Sequence, residues 1–327
     1  MTLKNHLYFT IFFLSFSLFV SCSKKSENFD ISIVAANFPC YDATRAILGD
    51  TPDTYSIRLK LLIKPGTEVH SYDPTPQDLI DIQNADLFVY IGGESDKWIE
   101  ELLYANKNYD SQKNLALINF VNTLEEFNPE ENEKDEKSHH EENDFEADEH
   151  IWTSPANEII IVSEIFSRLK TIAENKQLSS LIPVFEKNAA DYISQINVTA
   201  ELLNQALNSH NHKFIVMADR FPFAYFADYY KLGYSAAFSG CSTAVETSFA
   251  TIENLVKTVQ EKKLSSVFYI ELGNHKIADI IAEETGTKAY CLESIQNVTK
   301  DDFINGETWV SLMSRNAETL KKDFSGG

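Results

Sequence analysis

PVFEKNAADYISQINVTAELLNQALN, residues 183–208, decides how the rest of the chain is read. Val184, Phe185, Ala189, Tyr192, Ile193, Ile196, Leu202, Leu203, Ala206 and Leu207 recur at the three- and four-residue steps of one helix face. The stretch therefore predicts one long, largely uninterrupted helix. On either side of it, short apolar strands alternate with helices. Before it, strands are expected over 31–36 (ISIVAA), 57–63 (IRLKLLI), 87–91 (LFVYI) and 115–120. Helices are expected between them over 41–48, from Pro76 onward, and over 96–105, with a further helix over 155–173. After it, strands are expected over 214–217, 234–238, 267–270 and 289–292, with helices over 223–230, 251–262, 276–285 and roughly 306–322. Repeated β-α-β order implies α/β architecture with mostly parallel sheets and helices on both faces. The expected layout is two similar α/β lobes, 31–175 and 213–327, joined by one long rigid helix within 176–212, with a ligand cleft between them. In such sheets, ligands sit beyond the C-terminal ends of the strands.

Composition narrows the function. The chain has 327 residues, 43 % of them hydrophobic, and a formal net charge of −21, which argues against nucleic acid and for cations as partners. The run 125–150, EEFNPEENEKDEKSHHEENDFEADEH, holds thirteen acidic residues against two lysines. Such a run cannot build a core, and the acidic loop 125–149 is expected to be solvated. It carries His139 and His140 as accessory metal-attracting side chains, and His150 at its end. At the N-terminus, Lys4 precedes an apolar stretch over 7–20 and then Ser21-Cys22, which resembles a bacterial lipobox with Phe19 where Leu is usual. This predicts a signal peptide over 1–21, lipidation of Cys22, a tether over 22–30, and an extracytoplasmic, membrane-anchored protein in the periplasm or on the cell surface. Cys40, Cys241 and Cys291 remain, an odd number that permits at most one intramolecular disulfide.

Four segment ends carry candidate chemistry. His70 follows the second strand, close to Pro65-Gly66, with Glu68 and Asp73 beside it. His150 stands where the acidic run turns into the apolar Ile151-Trp152. Glu271 and Glu293 each follow an apolar strand. A carboxylate at the end of a buried strand is costly unless it is paired or metal-bound. Two imidazoles with one or two carboxylates suit Zn²⁺ or Mn²⁺.

Taken together, NFPCYDATRAILGD (37–50), GTEVHSYDPTPQDLIDIQNADLFVYIGGESDKWIEELL (66–103), DEHIWTSP (148–155), DRFPFAYFADYYKLGY (219–234) and the Glu271 and Glu293 strand ends resemble the zinc/manganese class of ABC-transporter solute-binding lipoproteins. The resemblance implies a non-enzymatic, monomeric receptor that binds a divalent ion between two lobes and hands it to an ABC permease with its ATPase. It implies His70 and His150 as the first two ligands and Glu293 at the fourth position. Arg220 falls at the third position, and a guanidinium cannot ligate a cation. Either Asp219 replaces it or Arg220 pairs with a carboxylate. Cys241 is a further candidate ligand, with a disulfide or an inert buried thiol as the plainer reading, and Glu271 and Glu68 complete the set. The alternatives are a manganese-specific receptor of the same type, a metallohydrolase, or a surface adhesin with a structural metal. Protonated imidazoles do not ligate, so ion binding should weaken as pH falls.

Overall fold

Among the described residues, eight strands form two separate four-stranded sheets, and every pairing within those sheets is parallel. The structure, a computed structural model, describes residues 29–70, 72–105, 110, 112–127, 146–208, 213–242 and 247–324. The segment with Cys22, and His139 and His140 of the acidic run, lie outside the described residues. In the first half, β1 (Ile31–Ala35), β2 (Ile57–Leu61), β3 (Leu87–Tyr90) and β4 (Asn114–Ala116) lie in the order β2-β1-β3-β4. In the second half, β5 (Phe214–Arg220), β6 (Gly233–Phe238), β7 (Ser266–Ile270) and β8 (Lys288–Leu292) repeat that order as β6-β5-β7-β8. The two α/β halves anticipated by the repeated alternation are thus present with the same connectivity.

The helices follow from local chemistry. α1 (Phe38–Leu48) begins earlier than the sequence suggested. The Asn37 side chain accepts a hydrogen bond from the Cys40 N–H, and Pro39 is tolerated in the first turn, where no N–H is needed. α2 (Pro76–Asn84) starts at the expected proline, behind a capping box between Thr75 and Asp78. α3 (Lys97–Ala105) completes the helices before the acidic run. The stretch 115–120 is only partly a strand, because β4 ends at Ala116 and Leu117–Phe120 forms a 3-10 turn. β4 is an edge strand paired to β3 alone, so a short apolar run there is free to curl.

Next come α4 (Pro155–Asn175) and α5 (Ile182–Asn208), a helix of 27 residues over the stretch that first fixed the reading. α6 (Ala224–Tyr230), α7 (Phe249–Lys262), α8 (Lys276–Thr285) and α9 (Trp309–Phe324) belong to the second half. A single central core runs through both halves. It joins the inner faces of β1, β3, β5 and β7 to the buried faces of α1, α4, α5 and α9. Smaller clusters cover the outer face of each sheet, with α2 and α3 on one and α7 and α8 on the other.

Trp152 and Trp309 sit fully buried in the central core. Trp309 Nε1–H donates to the Trp152 carbonyl, and Trp152 Nε1–H donates to the Ser294 carbonyl, each at 2.8 Å. Each ring buries enough apolar surface to contribute on the order of 4 kcal/mol. Their hydrogen bonds carry the start of α4 onto the segment after β8, and that contact positions the site described next.

Candidate metal centre

The acidic run is pinched off at its base. Glu125 bridges Ala147, the Glu126 N–H donates to the Glu146 carbonyl at 2.9 Å, and the Asp148 N–H donates to the Leu124 carbonyl at 2.8 Å. The chain leaving this neck is buried at once: Asp148 and His150 have no exposed surface and Glu149 is 3 % exposed. Asp148 Oδ1 accepts from the His150 backbone N–H at 2.8 Å and lies 3.1 Å from the imidazole Nδ1. A carboxylate at Nδ1 assigns the proton there and leaves the lone pair on Nε2. Nε2 is buried without a hydrogen-bond partner. Burial works against a charge on this ring, but Asp148 outweighs it and raises the His150 pKa above its ordinary value.

His70 faces it from the loop after β2, with ring centroids 5.9 Å apart. Its Nδ1 is 2.6 Å from Ser95 Oγ, and its Nε2 is 3.1 Å from the side-chain nitrogen of Gln296. Burial, followed by the charges of His150 and Arg220, pushes His70 down to about 3. The third member is Glu149. Its Oε2 accepts from the Ser95 N–H at 2.8 Å, and its Oε1 lies 3.8 Å from His70 Nδ1. Ser95 therefore holds two members at once, the imidazole through its hydroxyl and the carboxylate through its N–H. Donor atoms of His70, Glu149 and His150 all lie within 4.8 Å of one another.

Two glycines make this approach possible. A Cβ on Gly93, whose φ is +106°, would stand 2.8 Å from Glu149 Cβ, and one on Gly240 would stand 2.7 Å from His150 Cε1. Two imidazoles and a carboxylate converging in a buried pocket, one nitrogen with no partner, form a donor set that fits a divalent transition metal.

Residues 33–323 match the family model described as ZnuA, zinc-uptake complex component A, periplasmic. The chain belongs to the ZnuA family. Zinc-binding lipoprotein AdcA of Streptococcus pneumoniae serotype 4 is 30 % identical over 304 residues, covering 93 % of this chain and 58 % of AdcA. The chain thus spans little more than half the length of that relative. The high-affinity zinc uptake system protein ZnuA of Bacillus subtilis is 27 % identical over 301 residues, covering 91 % of this chain and 89 % of that protein. Among solved structures, Zn(II)-bound AdcA from S. pneumoniae superposes with a TM-score of 0.70 at 28 % identity, over 90 % of this chain and 57 % of that one. The Zn(II)-bound ZnuA-like domain of the same protein gives 0.69 at 28 %, over 90 % and 98 %.

In this ZnuA-family chain, the structure brings together two of the residues singled out from sequence, His70 and His150, and leaves the others engaged elsewhere. Glu293 lies outside the group because its Oε1 pairs with Arg315 Nη1 at 2.8 Å. Glu271 accepts from the Ser294 N–H and Oγ–H, both at 2.6 Å, and from the Ile295 N–H at 2.9 Å. Burial and the Glu293 charge push Glu271 up to about 8. Asp219 accepts from the backbone N–H groups of Arg220 and Ile270, at 2.8 and 3.3 Å. Arg220 takes the second course left open above, gripping Glu68 through two bonds of 3.0 and 2.9 Å. Cys241 is a free thiol, as are Cys40 and Cys291. Its N–H donates to Glu126 Oε1 at 2.7 Å, tying the neck of the acidic run to the second half. Glu149, Ser95 and Gln296 were not singled out from sequence. For Glu149 the available signal was its place between Asp148 and His150, at the point of re-entry into the core. Among the described residues, no helix is long and apolar enough to cross a membrane.

Proposed function

We propose that this chain is an extracytoplasmic solute-binding protein that captures a zinc ion at His70, Glu149 and His150 and delivers it to the permease of an ABC importer. The observation that carries the reading is the buried, unpartnered Nε2 of His150, held ready by Asp148 beside a second imidazole and a carboxylate. Zinc-binding names among relatives and zinc-bound neighbouring structures favour zinc over manganese. The chemistry is capture and release, with no bond of a substrate broken. Lipidation at Cys22 would keep the protein at the membrane face where the permease takes its cargo.

The test is a competitive titration of the purified chain with Zn²⁺ and Mn²⁺ across pH 5 to 8, beside zinc uptake in cells lacking the gene. One zinc per chain is expected, held more tightly than manganese, and uptake at limiting zinc should fall in the deletion. Protons compete for the same lone pairs. His70 is already neutral throughout this range, so His150, with its raised value, is the imidazole that sets the loss of affinity on acidification. Affinity should be full above the His150 value and fall below it. Asp148→Asn should move that fall to lower pH, and a fall left in place would show that Asp148 does not tune the ring.

Ser95→Ala tests the support behind the donors. It removes the hydroxyl at His70 Nδ1 but keeps the N–H to Glu149. Loss of such an outer partner typically weakens metal binding about 10- to 100-fold. An unchanged zinc affinity would mean that His70 is oriented by packing alone.

A further inference from the structure

The neck of the acidic run holds an irregular rung. The antiparallel bridge between Glu125 and Ala147 sets Leu124 opposite Asp148. In a hydrogen-bonded antiparallel pair, each residue's N–H ordinarily donates to the other's carbonyl. Here only one of the two bonds is direct: the Asp148 N–H donates to the Leu124 carbonyl at 2.8 Å. The other passes through a side chain from the opposite half of the molecule. The Leu124 N–H donates to the Tyr225 hydroxyl oxygen at 3.1 Å, and the Tyr225 O–H donates to the Asp148 carbonyl at 2.7 Å. A phenol has one proton to give and lone pairs to accept with, so it satisfies both groups.

Both sides of this contact are firmly set. Tyr225 is buried in α6 together with Ala224, Phe226, Ala227 and Tyr230. The neck is tied to the same half by a second aromatic contact. Phe127 meets Phe221 and Tyr234 edge-on, with ring centroids 5.8 and 5.2 Å away, and those two rings stack on each other at 3.9 Å. From Asp148 the chain runs directly into Glu149 and His150. The Asp148 carbonyl is held by Tyr225, while its Oδ1 holds the His150 backbone N–H and lies 3.1 Å from the ring Nδ1. One residue therefore carries the position of α6 to the imidazole.

We propose that Tyr225 is a positioning residue for ion binding: its hydroxyl holds the rung between Leu124 and Asp148 open and so sets the place from which Asp148 presents its carboxylate to His150. This rests on the reading of His70, Glu149 and His150 as the cargo site, and it adds no ligand to that site. Without the hydroxyl the rung closes. The Leu124 N–H then donates straight to the Asp148 carbonyl, and neither backbone group is left unpaired. Closure draws Asp148 towards Leu124 and carries its carboxylate away from the imidazole. The fold therefore survives the loss of the hydroxyl, and the geometry of the site does not. Because the phenol belongs to α6, a shift of that helix against the neck also moves Asp148, and with it one ring of the site.

The experiment measures Zn²⁺ affinity by chelator competition in the full chain, together with the visible d–d spectrum of the Co²⁺-loaded protein and the thermal melt of the ion-free protein. Tyr225→Phe should weaken zinc about tenfold and shift the cobalt bands, with the melt little changed. Tyr230→Phe is the control. It removes a hydroxyl from the same helix, one that donates to the Ala200 carbonyl of α5 at 3.1 Å instead of to the neck. Its zinc affinity and cobalt bands should match the wild type. A double-mutant cycle with Asp148→Ala tests the route. Once the carboxylate has gone, Tyr225→Phe should cost less affinity than it does alone. The proposal is overturned by wild-type affinity and cobalt bands in Tyr225→Phe, by an equal loss in Tyr230→Phe, or by costs that simply multiply in the double variant. If His150→Ala loses the ion and Tyr225→Phe does not, this proposal alone fails. If His150→Ala also binds as the wild type does, the cargo site itself is misplaced.

Discussion

His150→Ala should weaken zinc binding by more than about 100-fold, beyond what the loss of an outer partner costs. The ring cannot be replaced from nearby. Glu68, Asp219, Glu271 and Glu293 are each held by other partners, and recruiting any of them would break those bonds. Asp148 also loses the imidazole to which it is bonded, while its Oδ2 is already without a partner. Some loss of stability therefore accompanies the loss of affinity, and thermal melts of the ion-free variant must be read beside the titration. His70→Ala should act in the same direction with a smaller stability penalty, because no carboxylate hydrogen-bonds its ring. A folded His150→Ala protein that keeps wild-type zinc affinity would place the site elsewhere.

The two histidines were legible because each stands where a regular element meets a turn, and a histidine there is either exposed or held for a reason. Glu149 was not legible for the opposite reason. It is one of thirteen acidic residues in a run whose composition reads as solvated, and nothing in that composition sets it apart. Glu271 and Glu293 show the limit of strand-end reasoning. Desolvation requires that such carboxylates have partners but does not say which. Glu271 is satisfied by the Ser294-Ile295 backbone and Glu293 by Arg315, reached 22 residues along on α9. Gln296 carries no charge and no periodicity, so nothing local marks it. The fold was more readable than the site. α5 and the strands are written in spacing and apolar runs, which are local, whereas the candidate donor set is assembled from two segments far apart in the sequence. Where the fold departed, at Asn37 and at 117–120, a single capping bond or an unpaired strand edge decided the outcome.

Glu158 yields the second large effect, on stability. It sits in the first turn of α4 with no exposed surface, and neither carboxyl oxygen has a hydrogen-bond partner. Burial, reinforced by the charge of Asp42, raises its pKa well above the ordinary 4.5. The helix N-terminus favours an anion there, but only by about 0.3–1 kcal/mol, up to ~2 when buried, while desolvating an unpaired carboxylate costs several kcal/mol. Desolvation wins and the group stays protonated in the native chain. The unfolded chain releases that proton above 4.5. Stability is therefore lost as pH rises from the unfolded value towards the folded one, at about 1.4 kcal/mol per unit. Glu158→Leu removes this penalty together with an unsatisfied buried polar group. It should stabilise the protein by roughly 2 kcal/mol or more near pH 7. The gain should shrink as pH falls from 7 to 5, because the unfolded wild-type chain begins to regain the proton that the folded chain keeps. Urea unfolding at both pH values, with zinc excluded, measures the difference. A variant less stable than the wild type near pH 7, or a difference independent of pH, would show that the Glu158 carboxylate is ionised and held in the core.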